Sequence, residues 1–154
     1  MAAVTSTYNQ FDGRMLDVET QLADTQTVTT SAALQVSSAD KILDVGAGHL
    51  NADAVFDIST VDATTGDEQS VVLIQGSNSA TFASGIVNLA AQLFGDSTKT
   101  GESSDNLGNE RLVMPFSNVR EGTTYRYIRG YVLNSGTSPS LIVNKGWLTN
   151  RVGR

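Results

Sequence analysis

His49 is the sole histidine among 154 residues and cysteine is absent, so nucleophilic or general-base chemistry would have to be built around one imidazole. No G-x-S-x-G elbow accompanies it, and the spacing identifies neither a nucleophile nor an orienting acid. A structural or surface role is expected for His49. Gly46-Ala47-Gly48 follows a strand-like run but lacks the third glycine, the helix and the later acid of a dinucleotide loop, so a turn is expected. Gly95 to Gly101, GDSTKTG, puts its lysine before the second glycine, whereas a phosphate loop needs it after. Asp62, Asp67 and Glu68 supply hard oxygens that suit calcium, but at no EF-hand spacing, and a solvated hairpin tip is the expectation. No cofactor, no metal and no enzymatic activity are expected.

One stretch has a different character. In Thr124 to Leu133, TYRYIRGYVL, a period of two places Tyr125, Tyr127, Arg129 and Tyr131 on one face and Ile128, Gly130 and Val132 on the other. Tyrosine and arginine side by side suit a protein partner or a sugar. The same pattern also arises when tyrosines bury their rings and bring their hydroxyls to the edge of a core. Arg126, Arg129 and Tyr131 are the candidate partner-binding residues here. Tyr8 and Phe11, isolated aromatics in the polar segment Met1 to Gly13, are two more, on an extended arm (residues 1–14) expected to reach a neighbour.

The elements that must carry these residues read as strands. Leu16, Val18, Thr20 and Leu22 alternate, and Thr27 to Thr30 is β-branched. Lys41 to Val45, Ala54 to Val61, Val71 to Gln75, Arg111 to Phe116 and Leu141 to Leu148 are further strands. Phe56 and Ile58 should face away from Asp57 and Ser59. Ile86 to Phe94 is predicted as a strand, with a helix as competitor because NLAAQLF contains good helix formers. Pro115 places its strand at an edge or a bulge, and Trp147 is expected in core or barrel-end packing. Gly95 to Asn109 is a long polar loop, expected to be an exposed excursion.

Eight or nine short strands without a convincing helix predict an all-β protein: an antiparallel β-sandwich, a jelly roll of about eight strands, as one domain over residues 15–154. Without cysteine, cohesion must come from packing and ladders. The net charge of −6 argues against nucleic-acid binding, since phosphate contacts need clustered Lys and Arg, and the basic residues are scattered apart from Arg120, Arg126 and Arg129. Met1 to Gln10 has no basic cluster or apolar run of signal-peptide type, and no stretch is apolar over about 18 residues. A protein outside membranes, made and used without secretion, is expected.

Three stretches, in order, resemble the small jelly-roll cement (decoration) proteins of tailed-bacteriophage capsids. Met15 to Ala32 (MLDVETQLADTQTVTTSA) followed by Lys41 to Gly48 (KILDVGAG) is similar to that family's opening strand, turn, Thr/Ala-rich run and Asp-Leu-Gly ending. The Val55 to Ser77 strand pair, running into VVLIQGSNSATF, resembles its valine-rich strand, Gln-Ser-Ser and Asp/Asn-x-x-Phe pattern. Thr123 to Thr149 resembles its Arg-Tyr-(Ile/Leu)-Arg strand, Gly-Thr turn and closing strand. The likeness spans most of Met15 to Thr149; the arm and the Gly95 to Asn109 loop depart from it. It implies a non-enzymatic virion protein on the outer capsid surface, made in the bacterial host cytoplasm. Such a protein binds the major capsid protein as a homo-oligomer, dimer or trimer, at symmetry axes. A carbohydrate- or receptor-binding sandwich from a phage tail or fibre is the competing expectation.

Overall fold

The computed structural model describes residues 18–62, 65–95 and 110–150. After a single 3-10 turn at Val18–Thr20, the strands are β1 Gln21–Ala23, β2 Gln26–Val28, β3 Ala32–Ala33, β4 Gln35–Val36, β5 Ala39–Asp40 and β6 Leu43–Asp44. They continue as β7 Asn51–Asp62, β8 Gln69–Ser77, β9 Val87–Gly95, β10 Glu110–Ser117, β11 Val119–Arg120, β12 Thr123–Thr124, β13 Tyr127–Ser135 and β14 Ser140–Asn150. The expected arm, with Tyr8 and Phe11, lies outside the described residues, as does the predicted loop beyond Gly95.

All pairings are antiparallel. The first sheet runs β1-β14-β7-β10, with β2 also on β14; the second runs β3-β13-β8-β9, with β6 also on β13. The pairs β1 with β14, β3 with β13, β7 with β10 and β8 with β9 are nested in the sequence. The chain is therefore a long antiparallel ribbon wound on itself, the jelly roll expected from the strand count.

Alternation explains the layers. Along β7, Ala54, Phe56 and Ile58 are buried between the sheets, while Asp57 and Ser59 are half-buried on the outside. Val72 and Ile74 of β8, Ile128 and Val132 of β13, and Leu141 and Val143 of β14 complete one core with Leu22, Val28, Leu34 and Phe94. Fully burying one such side chain contributes about 1.5–3 kcal/mol. Gly146 sits opposite Phe56 in the ladder. A Cβ there would lie 2.5 Å from the Phe56 ring, so glycine is what admits the aromatic.

Boundaries differ from the sequence reading in instructive places. Val18 to Thr20 forms a 3-10 turn, and the first strand starts only at Gln21. Lys41 to Val45 contributes two ladder residues, because β6 meets only the start of β13. Residues 87–95 are a strand, against the helical competitor: β9 has a neighbour to pair with along its whole length, and ladder pairing outweighs weak local propensity. Pro115 lies on β10, the edge of the first sheet, as its missing N–H requires.

Two polar devices fix the ends. Asn118, 0% exposed, accepts from Leu50 N at 2.7 Å through Oδ1 and donates from Nδ2 to the carbonyls of Gly48 and Tyr125. One amide thereby ties three connections together. At the crossover from β7 in the first sheet to β8 in the second, where the sequence suggested a hairpin tip, Asp67 accepts from the amide and hydroxyl of Thr137 and from the hydroxyl of Thr65. These donors hold its carboxyl below the usual range. Gly136 has φ +93°, and a Cβ there would come within 2.3 Å of the Asp67 carbonyl oxygen, so the β13–β14 turn packs directly on the β7–β8 turn.

Candidate functional site

Strand β13 alternates as the sequence requires: Ile128, Gly130 and Val132 are buried, and Tyr127, Arg129 and Tyr131 are half-buried on the outer face of the second sheet. Tyr125 departs from the expectation. The strand begins at Tyr127, and Tyr125 Cβ stands 3.0 Å from where a Gly76 side chain would start, on the side of Val72 and Ile74. The cause is a break in the ladder at Tyr125 and Arg126, where Tyr125 N donates to Asn118 O instead.

Around Arg129 the face is closely organised. Its register partner on β8 is Gln75. Arg129 Nε donates to Gln75 Oε1 at 2.9 Å, and Gln75 Nε2 donates to Asn88 Oδ1 at 3.1 Å. One polar row thus crosses β13, β8 and β9. The guanidinium carbon lies 4.4 Å from the centre of the Phe82 ring and 5.1 Å from that of Tyr131, within the range of cation–π attraction. Apolar neighbours frame the row: Leu73 lies opposite Tyr131, and Val71 opposite both Leu133 and Leu93. Leu133 is 48% exposed.

Phe82 is set in place by its loop. Ser77 Oγ donates to Ser84 O, Ser79 N donates to Ser77 Oγ, Phe82 N donates to Ser79 O, and Ala83 N donates to Ser79 Oγ. Phe82 itself adopts φ 55° yet is only 5% exposed. Left-handed backbone at a bulky residue costs about 1–3 kcal/mol and persists where surroundings over-determine it. Here the serine network and the Arg129 contact do so. Sequence reasoning found Arg129 and Tyr131 but missed Phe82 and Gln75. The signal for Phe82 was the serine-rich Ser77 to Ser84; nothing short of the register reveals Gln75.

The three arginines singled out in the sequence converge on this side but have different attachments. Arg126 grips Asp44 through two contacts of 2.8 Å, and its guanidinium carbon is 5.5 Å from the Tyr127 ring centre. The guanidinium, with help from the Gly46 N–H, pulls the Asp44 carboxyl down to about 2. Arg120 donates to the Asn88 carbonyl and lies 4.0 Å from Glu121. Arg129 has no carboxylate within ion-pair distance among the described residues; Asp40 acts on it through space while accepting from Gln35. Burial lowers the proton affinity of Arg129, offset in part by Tyr131 and Asp40, and a guanidinium keeps its charge regardless.

The remaining candidates fall elsewhere. His49 is exposed on the connection into β7, and Gly46 to Gly48 leads into that strand, not into a helix. Glu68 is buried, with Oε1 accepting from the Thr65 amide and sharing the Thr65 hydroxyl with Asp67. Among the described residues no group of three His, Cys, Asp or Glu is placed to hold a metal, and no helix is long and apolar enough to cross a membrane. Trp147, expected in core or barrel-end packing, is half-buried on the outer face of the first sheet, paired with Val55. An open groove of about 420 Å³ is lined by Asn78, Ser79, Ser84, Ile86, Val87 and Tyr125.

These features define a jelly-roll β-sandwich with one ordered aromatic and cationic face. No protein-family model matches the chain, and no curated protein matches it. Among solved structures, it is similar to the CBM22-1–GH10 modules of the Clostridium thermocellum N-terminal endo-1,4-β-D-xylanase 10B, complexed with xylohexaose. The identity is 15% and the TM-score 0.39, over 93% of this chain and 27% of that one.

Proposed function

We propose that this chain is a non-catalytic virion protein that docks on the outside of a tailed-phage capsid and cements neighbouring major capsid subunits, acting as a homo-oligomer at symmetry axes. The observation that carries this reading is the outer face of the second sheet. Its polar side chains are locked to one another across three strands, and Tyr127, Tyr131 and Leu133 remain at least partly accessible beside them. Such a surface loses little side-chain entropy on contact, a main cost of association. The three-part sequence resemblance supports the same reading. Packed DNA pulls capsomers apart, and a stiff sandwich bridging them opposes that by adding buried area across the seam. An acidic, cysteine-free surface keeps the free protein soluble before assembly.

Capsid shells lacking the protein provide the test. Added protein is expected to bind at a fixed number of copies per shell and to raise the shell's melting temperature. Failure to bind at saturating concentration would sink the reading. The arm belongs to the same proposal through Tyr8 and Phe11, and removing residues 1–13 is expected to lower occupancy.

The second reading, a carbohydrate- or receptor-binding module, is favoured by the groove, where the Tyr125 side chain stands beside Asn78, Ser79 and Ser84. Glycan binding that Tyr125→Ala removes, with capsid docking absent, would select it.

A further inference from the structure

We propose that Arg129 is a preformed socket for a single carboxylate, and that the docking partner inserts an Asp or Glu side chain flanked by apolar residues into it. The inference rests on the reading of this face as a docking surface and names the chemistry that surface recognises.

Three observations carry it. The first is the distribution of charge. Two other arginines that adjoin the sheets, Arg111 and Arg126, are each held by a bidentate carboxylate, Asp57 at 2.8 and 3.0 Å and Asp44 at 2.8 Å. Arg129 alone among these three has its Nε bonded to a neutral amide, and its terminal nitrogens meet no acceptor among the described residues. In a chain of net charge −6, acids are plentiful, so a half-buried guanidinium left without one is a cation awaiting a partner from outside.

The second is orientation. Phe82 and Tyr131 hold the guanidinium plane, and Gln75, itself held by Asn88, fixes the Nε edge. A planar fork held in this way offers its two terminal nitrogens in the geometry that a carboxylate meets with two parallel bonds. The third is strain. The φ of 55° at Phe82 is maintained by a loop whose hydrogen bonds converge on placing that ring against Arg129, and strained backbone concentrates at ligand clamps. Leu73, Leu93 and Leu133 beside the row make the surround apolar, which strengthens a charge pair once water is excluded and calls for apolar residues beside the incoming acid.

The probe is a pair of short peptides, one carrying Leu-Glu-Leu and the other Leu-Gln-Leu, titrated into the intact protein while the arginine Nε–H resonances are followed by NMR. The glutamate peptide is expected to move the Arg129 signal saturably, to leave Arg111 unmoved, and to bind at least about tenfold more tightly than its glutamine counterpart, since a charge-assisted pair is the difference between them. Arg129→Lys, which keeps the charge but not the fork, is expected to lose most of that preference. Arg129→Met should lose all of it while keeping a cooperative thermal unfolding transition, so a misfolded variant is distinguishable.

Equal binding of the two peptides, or an Arg129 signal that neither moves, overturns the socket. A response to inorganic phosphate as strong as to the glutamate peptide overturns its assignment to carboxylates. Self-association of the free protein that Arg129→Glu abolishes overturns the foreign partner in favour of a second copy. The titration involves no capsid, so its failure strikes the socket alone, whereas wild-type protein that binds the peptide but not the shell strikes the docking reading alone.

Discussion

The two outer faces of the sandwich handle the same side chain in opposite ways. On the first sheet, Arg111 of β10 lies in register with Asp57 of β7, and the pair closes a bidentate ion pair that is about three-quarters buried. On the second sheet, Arg129 of β13 lies in register with Gln75 of β8, and its company is two rings and an amide. Both arginines sit on ladder strands with partners directly opposite, so the difference comes from the residue across the ladder. A carboxylate there completes the charge within the fold, whereas an amide fixes the guanidinium and leaves it to be completed from outside. The contrast teaches which face holds the molecule together and which is available for contact.

The largest expected effect tests the frame that both faces share. Asn118→Ala removes an amide that is 0% exposed and strands the Leu50 N–H and the carbonyls of Gly48 and Tyr125. Each buried unsatisfied group costs about 1–3 kcal/mol; the exposed Gly48 carbonyl can turn to water, while the half-buried Leu50 and Tyr125 groups cannot do so freely, so a loss of about 3 kcal/mol in chemical denaturation is expected. Because Tyr125 leads into β13, the Arg129 resonance should broaden as well, while that of Arg111 stays sharp. Equal disturbance of the two would mean the faces are not mechanically separate.

Next comes Phe82→Ala. Burial of the ring is lost, as is its contact with Arg129, but the left-handed backbone remains, so about 2 kcal/mol of destabilisation is expected, below the 3–5 kcal/mol of a full core truncation. Phe82→Gly relieves the strained φ and should recover part of that loss in melting temperature. If glycine is no better than alanine, the strain at Phe82 plays no part.

The comparison is sharpest when the two charges are removed directly. Asp57→Ala leaves Arg111 half-buried without its main partner and is expected to cost about 1 kcal/mol, with no effect on docking. Arg129→Met removes a cation that no carboxylate of the described fold pairs, but it also gives up the ring contacts with Phe82 and Tyr131 and leaves Gln75 Oε1 without its donor, so it is expected to cost about 1 kcal/mol while abolishing peptide preference. Loss of peptide preference in Asp57→Ala, or its retention in Arg129→Met, would refute the division of labour between the faces.

Much of this division was legible in the sequence. The period of two in Thr124 to Leu133 separates Arg129 and Tyr131 from Ile128 and Val132 without any knowledge of topology, because the pleat enforces it; which of the two faces is the outer one comes from the fold. The same alternation in Ala54 to Val61 separates Phe56 from Asp57. What escaped were long-range matters. That Gln75 opposes Arg129 while Asp57 opposes Arg111 depends on register between strands about 54 residues apart, which local pattern does not encode. Tyr125 was assigned to the strand face by parity, and parity failed because Asn118 captures its backbone and breaks the ladder. Phe82 lies outside every strand the sequence suggests, and only tertiary packing turns such an aromatic into one wall of a site. Trp147 is expected from the sequence in core or barrel-end packing, but its place in the β14 ladder opposite Val55 puts it on the outer face.

The smallest expected effect concerns Arg126, the intermediate case, which is exposed yet paired. Asp44 is held at about 2 in the folded chain against an ordinary 3.8. A depressed carboxyl pKa means that the folded state binds the proton less readily than the unfolded one, so the pair's contribution is present in full above the ordinary value. It then declines as pH falls through the interval between about 3.8 and about 2. Both partners are roughly half exposed, and solvent and salt screen such a pair, so the acid-induced fall in melting temperature over that interval should be slight and smaller still at high salt. Asp44→Asn should flatten it further without touching the peptide preference at Arg129. A variant that kept the full wild-type acid slope would show that the Asp44–Arg126 contact is a surface encounter with no bearing on stability, and the order of the three arginines, from Arg111 through Arg126 to Arg129, would then reduce to two classes.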